Sequence, residues 1–116
     1  MPAKRLSAEL SASAPVFAAL GDATRLRLVA RLSGGQPQSI TQLTAGAAVT
    51  RQAITKHLRV LAEAGLVRGR KQGREQMWEL NLRQVQEARR RLDLIAKQWD
   101  GALARLKLML EDDGED

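Results

Sequence analysis

The sequence contains no cysteine and no tyrosine, and its single histidine is His57. Without cysteine the chain can form neither a disulfide nor a thiolate metal site, and sensing through thiol oxidation is excluded. A lone histidine with no evident nucleophile or carboxylate partner argues against acid–base or nucleophilic catalysis. We therefore expect no enzyme activity, no catalytic residues, no bound cofactor and no metal site.

Long apolar runs and aromatic side chains are also scarce. No run approaches the ~20 apolar residues that a membrane-spanning helix needs. With one Phe and two Trp in 116 residues, aliphatic side chains must fill the core of what we expect to be one domain. The first residues have the basic-then-apolar order of a signal peptide, but Glu9 interrupts it and the PVFAAL segment is needed for packing. We therefore expect a cytoplasmic protein.

Positive charge is plentiful and unevenly distributed. The chain has 19 Lys and Arg against 13 Asp and Glu, a net charge of +6. The final six residues, EDDGED, hold five of those acids and no base, which leaves +11 on residues 1–110. Residues 51–74 contain seven basic residues and one acid, Glu63. This local excess favours a polyanionic partner such as nucleic acid, and we expect residues 111–116 to form a disordered acidic tail.

Capping residues indicate where the first helices begin and end. Residues 1–14 are rich in alanine and serine and are expected to form an N-terminal arm. Pro15 suits the first turn of a helix, where its missing N–H would be unbonded anyway, and Gly21 ends that helix. Asp22 can cap a second helix, which the glycine pair at 34–35 terminates.

Two further helices are predicted across a turn of small residues. Ser39 with Gln42 resembles a capping box for the short helix SITQLT, and the turn AGAAV follows it. Thr50 can then cap a helix that Gly65 ends. Two short helices joined by such a turn, the second with a polar outer face, are typical of a helix-turn-helix.

The helix that begins after Thr50 has one apolar and one polar face. Ile54, Leu58 and Leu61 recur at helical spacing and should be buried. The polar residues suit contact with base edges and phosphates, although a solvated helix face is the ordinary alternative. The predicted DNA-contacting residues of this helix are Thr50, Arg51, Gln52, Thr55, Lys56 and Arg59.

After Gly65 the pattern becomes extended. The segment LVRGRKQGREQMWEL predicts two short strands around Gln72-Gly73. Its basic residues, expected at or near the tip, are Arg68, Arg70, Lys71 and Arg74. A basic hairpin directly after a helix-turn-helix indicates a wing that contacts DNA, whereas an isolated basic hairpin would use its charges to protect a sheet edge.

A last, long helix is predicted from Leu82 to Leu110, with Asn81 and Gln84 as its capping box. Apolar residues spaced alternately by three and four form a heptad seam, which we assign to a homodimer interface. The seam residues are Val85, Ala88, Leu92, Ile95, Trp99, Ala102, Leu106 and Met109. The alternative is that all of them pack within the chain, but so small a domain offers few elements to cover such a helix.

With FAALGDATRLRLVARL, TRQAITKHLRVLAEAGLV and GREQMWEL in that order, the chain resembles the ArsR family over about residues 15–80. The resemblance implies a mainly α fold with a small β-hairpin: a winged helix-turn-helix at 15–81 and a dimerisation helix at 82–110. It also implies a dimeric regulator of double-stranded operator DNA. Base or phosphate contacts would come from helix 50–64, and backbone contacts would come from Arg70 and Arg74 in wing 66–80.

The sequence departs from the metal-sensing members of that family. The cysteines that many relatives use are missing, and the acids Glu87, Asp93 and Asp100 lie among arginines, where salt bridges are expected. The chain is therefore similar to the metal-independent branch, and His57 is expected to be structural. Repression is favoured because a small dimer without an activation domain can act by occupying a promoter. A winged helix that binds protein instead of DNA stays the alternative, and no residue identifies an inducer.

Overall fold

The computed structural model describes residues 3–114 of the chain. Within that range, five helices and a three-stranded sheet confirm the predicted mainly α fold. In chain order the elements are α1 (Ala3–Leu20), α2 (Ala23–Leu32), β1 (Gln38–Ser39), α3 (Ile40–Thr44), α4 (Arg51–Glu63), β2 (Val67–Gln72), β3 (Glu75–Leu80) and α5 (Leu82–Gly114). No helix in this range is both long and apolar enough to cross a membrane.

The first helix begins earlier than its proline suggests. α1 starts at Ala3, and Pro15 lies inside it, so the prediction that Pro15 occupies the first turn is wrong. A proline inside a helix removes one hydrogen bond and crowds the carbonyl four residues before it, but the alanines around it favour helix strongly. Val16 and Ala19 are buried in the core while the preceding turns of α1 pack along α5. Tertiary contact therefore holds one continuous helix across the proline.

The capping signals of α2 and α3 are confirmed. The carboxylate of Asp22 accepts a hydrogen bond from the backbone N–H of Arg25 at 3.0 Å. At α3, the hydroxyl of Ser39 accepts from the Gln42 N–H at 3.2 Å, and the Gln42 side-chain oxygen accepts from the Ser39 N–H at 2.8 Å. These bonds satisfy donors that a helix start otherwise leaves without partners.

The sheet has one strand more than the sequence predicts. Its order is β1-β3-β2, with both neighbours of β3 antiparallel to it. β1 has only two residues, too few to show a hydrophobic period. The hairpin loop is Gly73-Arg74, because Gln72 pairs with Glu75, so the predicted turn was displaced by one residue. Gly73 has a φ of +65°, which a two-residue hairpin loop requires at its first position.

The core lies where the helix-turn-helix meets the sheet. Helices α2 and α3 both pack against α4, and α2 and α4 each contact a strand. The least exposed apolar side chains belong to these elements and to the residue just before β2. They are Leu28, Leu32, Leu43, Ile54, Leu58, Leu61, Leu66 and Val67.

α5 extends well beyond this core. Its 33 residues span about 50 Å at 1.5 Å per residue, and the longest dimension of the described chain is 73 Å. At its start the backbone carbonyl of Asn81 accepts from the N–H groups of Gln84 and Val85 at 3.1 and 3.2 Å, as the first bonds of the helix. The side-chain bonds of the predicted Asn81–Gln84 capping box are not formed among the described residues. The helix ends at Gly114, four residues past the predicted end, since extending a formed helix costs little. Of the predicted disordered tail, residues 115–116 lie outside the described range.

Candidate nucleic-acid interface

α4 presents a polar face to solvent because its other face is almost completely buried. Ile54, Leu58 and Leu61 are at most 1% exposed, as their helical spacing predicts. Across the helix, Gln52 and Lys56 are exposed. Arg59, one turn further along, is exposed as well. Burial of the apolar stripe therefore fixes which side chains α4 presents to solvent.

The first turn of α4 is held by two threonines. The hydroxyl of Thr50 accepts from the Ala53 N–H at 3.1 Å, which confirms its role as N-cap. The half-buried Thr55 donates its hydroxyl to the Arg51 carbonyl at 3.0 Å. That hydroxyl is thereby engaged within the helix, and the methyl group is the part of Thr55 suited to contact a thymine methyl.

Arg31 fixes the turn between α3 and α4. Its guanidinium donates hydrogen bonds to the carbonyl oxygens of Gln42, Leu43 and Ala45, at 2.7, 2.9 and 3.1 Å. These carbonyls lie at the end of α3, where a helix leaves acceptors unbonded. Sequence reasoning missed this residue, because a basic residue in the last turn of α2 is also typical of an ordinary solvated position. Arg31 thus sets where α4 begins relative to α2.

The prediction that all four basic residues of the hairpin lie at or near its tip is wrong for Arg68 and Arg70. Lys71 and Arg74 lie at the loop, but Arg68 pairs with Glu79 near the other end of the strands. At ~3.3 Å per residue, Arg68 is roughly 17 Å from Gly73. Arg70 lies between, with its Nη2 3.9 Å from Oε2 of Glu79. A strand spreads its residues along its length, so only two of the four cations form the tip.

His57 takes part in a polar cluster beneath α4. Its Nδ1 lies 3.2 Å from Nη1 of Arg25 and 3.9 Å from Oδ1 of Asp22. Arg25 also donates from Nε to the Ala19 carbonyl at 2.6 Å. The backbone N–H of Arg25, aided by the Arg25 and His57 charges, holds the pKa of Asp22 below its ordinary value. The cluster links α1, α2 and α4, which places His57 in a structural position.

Of the three acids of α5 that were predicted to form salt bridges, Glu87 forms them, whereas Asp93 and Asp100 form none within the described residues. Oε2 of Glu87 lies 3.4 Å from Arg90 and 3.8 Å from Arg91, so the expected salt bridges form there. Arg90 also reaches Glu9 of α1 at 3.6 Å. Within residues 3–114, no group of three or more histidines and acids is placed to hold a metal ion.

The predicted heptad seam divides into a buried and an exposed part. Ala88 is buried within the chain, and Val85 packs against the core. Both belong to the intrachain packing of α5 on its own domain, because this end of the helix is covered by α1 and the core. Ile95 is half-buried. The remaining seam residues are all exposed: Leu92, Trp99, Ala102, Leu106 and Met109.

The exposed leucines of α5 define a slightly different line from the predicted seam. At about 100° per residue, five side chains fall within about 60° of one another around the helix axis. This apolar stripe consists of Leu92, Trp99, Leu103, Leu106 and Leu110. Leu92 is 52% and Trp99 65% exposed. Sequence reasoning left Leu103 and Leu110 outside the seam, whereas Met109 lies about a quarter-turn from the stripe.

Comparison with known proteins agrees with this arrangement. Residues 20–70 match the model of a helix-turn-helix domain. The chain is 33% identical over 98 residues to the HTH-type transcriptional regulator Rv2034 of Mycobacterium tuberculosis, covering 84% of this chain and 88% of that one. It is 38% identical to the structure of an ArsR-like transcriptional regulator from Rhodococcus sp. RHA1, with a TM-score of 0.72, covering 86% of this chain and 93% of that one.

A third comparison shares the fold at lower identity. The homodimeric winged helix-turn-helix DNA-binding domain of Mb0332 from Mycobacterium bovis is 21% identical, with a TM-score of 0.60, over 90% of this chain and 93% of that one. The relatives from Mycobacterium tuberculosis and Rhodococcus both carry the name of transcriptional regulator.

Proposed function

The chain belongs to the ArsR family of winged helix-turn-helix transcriptional regulators, and on that premise we propose that it is a dimeric repressor that binds an inverted-repeat operator. The observation that carries the proposal is the outer face of α4, where Gln52, Lys56 and Arg59 are exposed while the opposite face is buried. A helix fits the major groove, and these side chains offer donors to base edges and phosphates.

We assign sequence-specific contacts to α4 and nonspecific phosphate contacts to the wing. Thr50, Arg51, Gln52, Thr55, Lys56 and Arg59 would supply the contacts of α4. Lys71 and Arg74 at the hairpin loop would contact phosphates, which adds affinity without sequence preference. Arg68 and Arg70, further from the loop and beside Glu79, would add positive charge along the flank of the wing.

The second subunit would pack against the apolar stripe of α5. Five large apolar side chains in one line are more than a single exposed helix ordinarily carries, and such patches favour association. The fold relative from Mycobacterium bovis is a homodimer. A two-fold pair would present two copies of α4 about one helical turn of DNA apart, which suits an inverted repeat. A small dimer without an activation domain can act by occupying a promoter, and we therefore assign it repression.

We also propose that control does not depend on a metal. The chain has no cysteine and a single histidine, and that histidine already contacts Arg25. A transition-metal site needs several soft or imidazole donors at fixed geometry.

The proposal is tested by fluorescence anisotropy with labelled DNA from the protein's own upstream region and a scrambled duplex, across a series of salt concentrations. We expect tighter binding to the upstream DNA and a steep loss of affinity with salt, because bound phosphates release counterions. Lys56→Ala should weaken binding, whereas Lys97→Ala, an equal change of charge on the solvent side of α5, should not. A protein that binds neither duplex at low salt would instead favour a winged helix that binds other proteins.

A further inference from the structure

A cavity of about 350 Å³ lies inside the helix-turn-helix itself. Its walls come from α2, from α3 and the turn after it, and from the first turns of α4. Leu28, Leu43, Val49 and Ile54 form its apolar lining. The volume falls in the range of small-molecule sites, which are mostly apolar with a few polar groups that orient the ligand.

The polar side chains that line this cavity can all donate hydrogen bonds, and two of the three carry a positive charge. They are Thr24, Arg27 and Arg31, and no acidic residue lines the cavity. Arg31 is committed to three backbone carbonyls, so it contributes a fixed positive charge. Among residues 3–114, the Arg27 side chain makes one hydrogen bond, of 3.4 Å to the Thr24 hydroxyl, and its exposed guanidinium can turn to an anion. Guanidinium groups bind carboxylates through two parallel hydrogen bonds.

We propose that this cavity binds a small monocarboxylic acid with an apolar body, such as a medium-chain fatty acid. The hydrocarbon part would lie against Ala47, Ala48 and Val49, above the buried Leu28 and Ile54 side chains, and the carboxylate would pair with Arg27 and the Thr24 hydroxyl. Burial of the apolar chain provides most of the affinity, and the arginine selects for the negative charge.

Occupation of the cavity would regulate DNA binding, a step that rests on the function proposed above. The segment from Gly46 to Val49 closes one side of the cavity and leads directly into Thr50, the N-cap of α4. A ligand that binds more tightly when α2 and this segment move apart shifts the start of α4, and with it Arg51 and Gln52. Misplaced recognition side chains lose their base contacts, so the ligand lowers operator affinity.

The first test measures ligand binding without DNA. Octanoate is titrated into the full chain by calorimetry, with 1-octanol as an uncharged ligand of equal length, and amide shifts are followed by NMR. We expect one octanoate per chain, weaker binding of octanol, and shifts at Gly46, Ala47 and Val49. Loss of a charge-assisted pair in Arg27→Gln should weaken octanoate binding about tenfold or more. Arg89→Gln, the same substitution at an exposed site on α5, should leave it unchanged.

Three results would overturn the site: no octanoate binding up to millimolar concentration, equal binding of octanol, or shifts confined to the apolar stripe of α5. The second test adds octanoate to the protein–operator complex and follows anisotropy. Release from wild type but not from Arg27→Gln supports the regulation, and unchanged affinity at saturating octanoate overturns it. Failure of the protein to bind any DNA contradicts the proposed function alone, because the octanoate titration needs no DNA.

Discussion

Gly69 and Trp78 oppose each other across β2 and β3, and the indole packs directly over the glycine. A Cβ atom on Gly69 would lie 2.5 Å from Nε2 of Gln76, the end of a flexible side chain that can shift, and 3.0 Å from Cζ3 and 3.1 Å from Cη2 of Trp78. The indole is buried and joins the core. The base of the wing is therefore joined to the domain core by an aromatic ring that needs a residue without a side chain opposite it.

The first prediction follows from this contact. Gly69→Ala should lower the free energy of unfolding by about 1–3 kcal/mol, because the new methyl group displaces the Gln76 amide and overpacks against the ring. Urea denaturation followed by Trp fluorescence measures the change. Gly34→Ala is the matched control, since a Cβ there meets nothing within 4 Å. Equal stability of Gly69→Ala and wild type would show that the indole can move aside at no cost.

The second prediction separates sequence readout from general affinity. Gln52→Ala should change the preference among operator variants by about 1–3 kcal/mol if a bidentate base contact is lost. Arg74→Ala should weaken all duplexes about equally and reduce the salt slope by about one unit. Competition binding against single-base operator variants measures both. The controls are Gln86→Ala and Arg89→Ala, both exposed on α5. A change of base preference in Arg74→Ala but not in Gln52→Ala would reverse the assigned roles.

The third prediction concerns the apolar stripe. Leu92→Glu should give a monomer, because a charge buried in an apolar interface costs several kcal/mol without a partner. Operator affinity should then fall by at least ~100-fold, since half-sites bound singly lose the gain of linked binding. Sedimentation and DNA binding are measured on the same sample. Leu108→Glu is the control, because Leu108 is 63% exposed but points away from the stripe. If the Leu92→Glu protein is folded and monomeric but binds the operator with wild-type affinity, dimerisation through α5 is not needed for DNA recognition.

The fourth prediction uses the N-cap of α2. The hydrogen bond from the Arg25 N–H lowers the pKa of Asp22 from its ordinary 3.8. The charged carboxylate therefore stabilises the fold above that value, and its contribution is lost as pH falls through the lowered pKa. Asp22→Ala should have a lower Tm than wild type at pH 7, with the difference shrinking below about pH 4. Asp22→Asn keeps a side chain that can cap the helix, so its Tm at pH 7 should fall less than that of Asp22→Ala. A difference in Tm that is constant from pH 7 to pH 2 would contradict an electrostatic contribution.

Local chemistry determined most of the helix-turn-helix in advance. Asp22, Ser39 and Thr50 each bond to a backbone N–H within three residues, so their roles can be inferred from spacing alone. The stripe of Ile54, Leu58 and Leu61 likewise predicted its own burial, because helical periodicity depends only on the chain.

Features that depend on distant partners were decided by tertiary structure. Pro15 stays inside α1 because the turns on both sides of it pack on the rest of the domain, and the two residues of β1 form a strand only because β3 lies beside them. Arg31 stabilises the α3–α4 turn by donating hydrogen bonds to carbonyls 11 to 14 residues away in the sequence. Val85 and Ala88 share the apolar period of Leu92 and Trp99. The domain covers Val85 and Ala88 but not Leu92 and Trp99, because α1 and the core extend only along the first turns of α5. The spacing of apolar residues within α5 does not show how far along the helix its neighbours reach.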